Sequence, residues 1–210
     1  MGYKNVQEFV MKKLVLLCCA TILFFLPAYV FAASCDSDEG YYVNFILEGE
    51  EYSCSFGNPD GDVEVPYAAV TLFDIAQEPG GEHIQLYGSN IETGTNPEDL
   101  DFIINVQGYL YTDTPGNYTG EYDLEDVLSS VWIWIYSDSI WYPYTASSGT
   151  VTIDVFNEIG GSVEGSFNAS FIISGDTIIR MDLGDSPQTI TGSFRVKRIG
   201  EEDLPVREFN

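Results

Sequence analysis

The chain has one histidine, His83, in the alternating stretch Glu82-His83-Ile84-Gln85-Leu86. Serine-hydrolase chemistry needs a histidine, a carboxylate that orients it and a nucleophile. A carboxylate is easily found among 33 acidic residues, but no Gly-x-Ser-x-Gly elbow supplies the nucleophile. His83 is therefore expected to be a solvent-facing strand residue. One histidine and the two cysteines outside the leader, Cys35 and Cys54, cannot assemble the usual zinc ligand sets. Paired carboxylates hydrolyse glycosides, yet in so acidic a chain any fold brings some pair to a suitable separation. A carboxylate-dependent hydrolase is thus the least favoured reading, no catalytic residue is singled out, and a non-enzyme is expected.

Oxygen donors on alternate residues are more telling. Asn58, Asp60, Asp62 and Glu64 lie in a Gly/Pro-rich loop, and calcium takes six to eight oxygens from such segments. The run is not an EF-hand, because Val63 stands where the glycine belongs and Ala69 where the bidentate glutamate belongs. An irregular calcium site and an ordinary acidic turn are the two readings. Asn96, Glu98, Asp99 and Asp101 form a weaker second cluster.

Aromatic residues form the other candidate site. In Val131–Tyr136, period-two alternation puts Trp132, Trp134 and Tyr136 on one strand face and Val131, Ile133 and Ile135 on the other. Trp141, Tyr142 and Tyr144 follow. Flat aromatic faces on an exported β domain can stack on sugar rings. The competing reading is a central strand buried on both faces.

The start of the chain addresses it for export. Lys12 and Lys13 precede an apolar run, Leu14–Leu26, then Pro27 and the small residues Ala28, Ala32, Ala33 and Ser34. A charged start, apolar middle and small-residue exit are the parts of a signal peptide. Residues 1–34 are read as that signal, with Met11 the better start and cleavage after Ala32. An uncleaved anchor is the alternative, since Leu14–Ala33 is long enough to span a bilayer. Cys35 follows Ala32-Ala33-Ser34, which is similar to a bacterial lipobox lacking leucine at −3, so a lipid anchor is a third outcome. Cys18 and Cys19 leave with the signal. The remaining pair, Cys35 and Cys54, is expected to form a disulfide outside the cell. Acylation of Cys35 would exclude that disulfide.

Removing residues 1–34 leaves five basic and 32 acidic residues, a net charge near −27 over 176 residues. Such a surface repels phosphate backbones and anionic headgroups. Nucleic acid is excluded as a partner, and a membrane is reached only through a lipid on Cys35. Asn117-Tyr118-Thr119 and Asn168-Ala169-Ser170 are glycosylation sequons that matter only in a eukaryotic source.

The elements that must position these residues are strands. β-branched and aromatic runs alternate with Gly, Pro, Asn and Asp clusters. Strands are expected at Tyr42–Leu47, Tyr52–Phe56, Ala68–Ile75, His83–Tyr87, Phe102–Gln107, Val131–Tyr136, Gly149–Asn157, Ser162–Ile173, Ile178–Asp182 and Thr189–Arg198. Leu124–Ser129 is read as a short helical turn, and Tyr109–Asp126 otherwise stays unassigned. About ten strands without helical periodicity imply an all-β fold, an antiparallel β-sandwich or barrel. It forms one domain over 35–199, followed by an acidic flexible tail, 200–210.

Gly161-Ser162-Val163-Glu164-Gly165-Ser166-Phe167-Asn168-Ala169 and Ile190-Thr191-Gly192-Ser193-Phe194-Arg195-Val196-Lys197-Arg198 carry paired Gly-x-Phe motifs. With the signal peptide, they resemble the closing hairpin of uncharacterised exported bacterial β-sandwich proteins and lipoproteins. The resemblance implies a bacterial source and a periplasmic, cell-surface or extracellular β domain. It implies no activity. A non-enzymatic binding or structural role is therefore the first expectation, and a carbohydrate-binding module using the aromatic strand is the alternative.

Overall fold

A computed structural model describes residues 40–58, 61–71, 81–96, 100, 102–137, 140–173 and 187–205. These all belong to one compact unit, Ser34–Asn210. Among the described residues ten strands run in chain order: β1 Tyr42–Leu47, β2 Glu50–Cys54, β3 Tyr67–Thr71, β4 Glu82–Ser89, β5 Phe102–Thr112, β6 Gly120–Asp123, β7 Ser130–Ser137, β8 Ile140–Phe156, β9 Ser162–Ile173 and β10 Gln188–Arg198. The expected strand Ile178–Asp182 lies outside the described residues.

The sheet closes on itself. Neighbours run β10-β3-β4-β5-β7-β8-β9 and back to β10, a seven-stranded barrel. Every contact in the ring is antiparallel except β10 with β3, where Lys197 faces Tyr67 and Arg198 faces Ala68 in parallel. Long strands change partners along their length. On one side β8 holds β9; on the other it holds β7 over Ile140–Thr145 and then β6 over Thr150–Ile153. Likewise, β10 holds β9 on one side, and β1 followed by β3 on the other. The β1–β2 hairpin turns at Glu48 and Gly49, both at positive φ (55° and 85°), the backbone that matches the right-handed twist of its strands.

Alternation fills the interior. Ile104, Val106 and Leu110 of β5, Val131, Ile133 and Ile135 of β7, Val151 and Ile153 of β8, and Phe167, Phe194 and Val196 of the closing pair all join one buried cluster. Each such side chain contributes roughly 1.5–3 kcal/mol by leaving water. A void of about 20 Å³ remains between Leu86, Val106, Phe167 and Phe194. The described interior of the barrel is thus a packed core.

The Gly-x-Phe motifs have a cross-strand explanation. In the β9–β10 register, Gly165 faces Phe194 and Gly192 faces Phe167. A Cβ on Gly165 would lie 2.7 Å from Phe194 Cζ and 2.0 Å from the Thr152 carbonyl oxygen. A Cβ on Gly192 would lie 2.3 Å from Phe167 Cζ. Each phenylalanine ring therefore covers the other strand's glycine, replacing the side-chain packing that glycine lacks.

A second small core lies outside the ring. Tyr67, Ala69, Tyr87 and Ile199 pack with Val63 and Leu204. The Tyr67 and Tyr87 rings stack 5.5 Å apart. The loop after Phe56 and the chain after β10 cover this cluster together. Glu201–Asp203 forms a 3-10 turn, and Ile199 donates its backbone N–H to the Ala68 carbonyl. The segment expected to begin a flexible tail is folded through residue 205, because Ile199 and Leu204 have apolar surface to bury. Residues 206–210 lie outside the described residues.

Candidate functional site

The strand pairing gathers most of the predicted aromatic residues on the barrel's outer face. On β7, Val131 and Ile133 are 4% and 0% exposed, while Trp134 is 37% exposed. Cross-strand pairing places Asn105 and Pro143 on either side of Trp134, Gln107 and Thr145 on either side of Trp132, and Trp141 beside Tyr136. Trp141 is 40% exposed, and Trp132 and Tyr136 are half-buried. Burial of this strand on both faces is therefore not what the fold produces. The Trp134 and Trp141 rings meet edge to face, 6.5 Å apart at 79°. Tyr136 leans on Trp141 at 5.1 Å and 52°. Tyr109 meets Trp132 at 5.7 Å and 75°.

Tyr109, Asn105 and Gln107 were not read from the sequence as part of this face. The available signal was alternation along β5, which sends Asn105, Gln107 and Tyr109 outward while Ile104, Val106 and Leu110 go in. Asn105 is held by the Tyr87 hydroxyl, which donates to its Oδ1 at 3.3 Å. Tyr142 and Tyr144 fall on the opposite face from Trp141. They pack into the barrel core beside Ile135 and Ile133. Burial, then the nearby Glu48 carboxylate, pushes the Tyr144 phenol up to about 12.

The acidic loop takes a different role. Asn58 is buried, and its carbonyl accepts the Gly61 N–H at 3.0 Å. Asp62 and Glu64 are exposed, and Asp60 lies outside the described residues. A Cβ on Gly57 would lie 1.8 Å from the Val63 carbonyl oxygen, and one on Gly61 would lie 2.6 Å from Pro205 Cγ. The loop is thus folded tightly onto itself and onto the chain end, where Val63 caps the outer core. Beside it is a cleft of about 660 Å³ lined by Asp62, Glu64, Lys197, Glu202 and Asp203 above Ile199 and Leu204. Among the described residues, no three His, Cys, Asp or Glu side chains converge to hold a metal. The four cleft carboxylates are all exposed, unlike the sequestered acid of a glycoside hydrolase. Of the second cluster, Asn96 is on an exposed turn, and Glu98, Asp99 and Asp101 lie outside the described residues.

His83 departs from its expected place. It is buried, 6% exposed. Alternation does send it to the outer side of β4, but the 124–129 loop covers that side. His83 Nε2 donates to the Leu128 carbonyl at 3.1 Å, and its ring leans on Tyr111. The loop itself is two successive aspartate turns, not a helical turn. Asp123 Oδ1 accepts the Glu125 N–H and Asp126 Oδ1 accepts the Leu128 N–H. His83 thereby latches a loop to the barrel wall.

Cys54 has no exposed surface and no disulfide partner among the described residues. It points into the core between Val43 and Gly88, with Sγ 4.0 Å from the Ile104 carbonyl oxygen. Burial raises its thiol well above the ordinary range. Cys35, its expected disulfide partner, lies outside the described residues, as does the whole leader. No helix among the described residues is long and apolar enough to cross a membrane.

No family model matches the chain, and no curated protein or solved structure is significantly similar to it.

Proposed function

We propose that the chain is an exported, acidic, non-enzymatic binding domain whose outer β5–β7–β8 face takes carbohydrate. The observation that carries this reading is the exposure of Trp134 and Trp141 on a barrel whose interior is already full. An aromatic residue on a strand is normally buried. Two exposed indoles, with the Asn105 amide beside Trp134 and the Gln107 amide beside Trp132 on the same face, give apolar ring faces near hydrogen-bonding groups, the combination that a sugar offers in return. A glycan array, run with and without calcium, tests the reading. Binding that is lost in Trp134→Ala while the melting temperature holds supports it. Silence across the array favours a structural surface role instead.

Export rests on the leader, residues 1–34. The complete burial of Cys54 favours a second element, a lipid at Cys35. A lone thiol outside the cell is vulnerable when it is exposed, and complete burial of Cys54 removes that vulnerability. Cys35 then remains available for acylation, which would tether the barrel to a membrane. Mass spectrometry of the mature N-terminus separates the outcomes. Thioether-lipidated Cys35 supports the tether, an unmodified start at Ala33 gives a soluble domain, and an intact Leu14–Leu26 segment contradicts cleavage.

A further inference from the structure

The outer aromatic face is electrically unlike the rest of the chain. β5 and β7 contain no charged residue, and β8 contains none before Asp154. Away from it, Glu50 and Glu51 on β2 and Glu121 and Asp123 on β6 face out, β9 and β10 carry the Glu164–Arg195 ion pair, and β10 adds Lys197 and Arg198; β1 and β3 are uncharged but flank β10. The described chain therefore presents one neutral face of three neighbouring strands, on a protein whose formal charge is −25. Groups on that face bind without ion pairs: the Asn105 and Gln107 amides, the Thr145 hydroxyl and the indoles. A polyanion approaching it meets repulsion from the surrounding acids within a Debye length. A neutral ligand meets none.

Ring geometry restricts the shape of the ligand. Trp134 against Trp141 and Tyr109 against Trp132 are both near-perpendicular pairs, and sheet twist turns each strand relative to the next. A flat crystal surface needs coplanar rings. A single chain can turn from one ring face to the next. Trp132 to Tyr136 spans two steps of two residues along β7, roughly 13 Å, which suits an oligosaccharide better than one sugar.

Resting on the carbohydrate-binding reading, we infer that this face selects an uncharged, single-chain glycan of several residues and rejects polyanionic glycans and crystalline polysaccharide.

The test is affinity gel electrophoresis of the protein in three classes of glycan. The first is soluble neutral polymers (glucomannan, xylan, mixed-linkage β-glucan). The second is polygalacturonate and alginate. The third, as a pull-down, is microcrystalline cellulose and chitin. The expected result is retardation by at least one neutral polymer and no binding in the other two classes. The affinity should change less than twofold as NaCl rises from about 50 mM to about 500 mM, because no counterions are exchanged. Trp134→Ala and Trp141→Ala should each weaken it at least tenfold. Binding to a polyanion or to a crystalline powder that is lost in Trp134→Ala overturns the selectivity and leaves the carbohydrate reading standing. Absence of binding in all three classes overturns both.

Discussion

Trp134 and Trp141 owe their exposure to the parity of their strands. Val131, Ile133 and Ile135 fit the interior, so the intervening residues of β7 must face out, and pairing with β8 brings Trp141 to the same side. Neither indole supports the core. Trp134→Ala should therefore cost about 1–2 kcal/mol of stability, from the covered part of the ring and its edge-to-face contact with Trp141, less than the loss of a fully buried aromatic. Equilibrium urea unfolding checks this. A loss of 3 kcal/mol would mean that the ring is structural. Cys54 is the opposite case. Enclosed and with its thiol pushed up, it should resist alkylation in the folded protein, since only a thiolate reacts. Peptide mass mapping after iodoacetamide treatment should find Cys54 labelled only above the unfolding midpoint. Labelling in the native state would contradict its burial. His83 shows how one residue's burial escapes sequence reasoning. Its strand parity was legible, but the loop that covers it comes from more than forty residues downstream.

At the scale of elements, the closing hairpin was legible as a pattern before it was legible as a mechanism. The spacing of Gly165 to Phe167 and Gly192 to Phe194 marks two motifs; only the register shows that each ring lies over the other's glycine. Gly165→Ala and Gly192→Ala should each destabilise the barrel by about 1–3 kcal/mol through overpacking. Phe194→Ala should cost about 3–5 kcal/mol through the cavity it leaves. Calorimetric melting of the three variants tests both, and a neutral Gly165→Ala would refute the interlock. The strands that sequence reasoning missed have specific causes. The first half of β8 carries Pro143 and two serines, which read as a breaker and a loop, and bulges at Ala146/Ser148 and Ile153/Val155 break its alternation. Gly108 truncates the visible part of β5, although it is only a thin spot against Leu86 and Val131. β6 has four residues, too few to show a period. The aromatic positions on β7 were legible because alternation there is unbroken. Their partners on β5 emerge only from pairing.

For the whole molecule, the choice between sandwich and barrel depends on one distant contact, the parallel pairing of β10 with β3. No local pattern announces it, so composition and periodicity could reach an all-β fold of about ten strands but not its closure. Buried tyrosines set an expected alkaline limit of stability. Tyr122 and Tyr144 are raised from the ordinary 10 to about 12, in both cases chiefly by burial. A raised phenol stabilises the fold fully below the unfolded value and loses that contribution as pH rises through the folded one. Stability should thus hold up to about pH 10 and fall between about 10 and 12. Denaturation midpoints measured across that range should track tyrosine ionisation at 295 nm. Charge sets a second global trend. Acids concentrated outside the neutral face repel one another, and salt screens them, so the melting temperature should rise with NaCl. A flat or falling curve would contradict this.

The central claim is that a filled barrel binds sugar on its outer β5–β7–β8 face, and the chain supplies its own reporter. Its three tryptophans, Trp132, Trp134 and Trp141, all lie on that face. The direct measurement is intrinsic tryptophan fluorescence during titration with soluble neutral oligosaccharides. Sugar binding on this face should produce a saturable shift in emission that Trp134→Ala abolishes. Emission unchanged by every glycan, with the protein folded throughout, would contradict it.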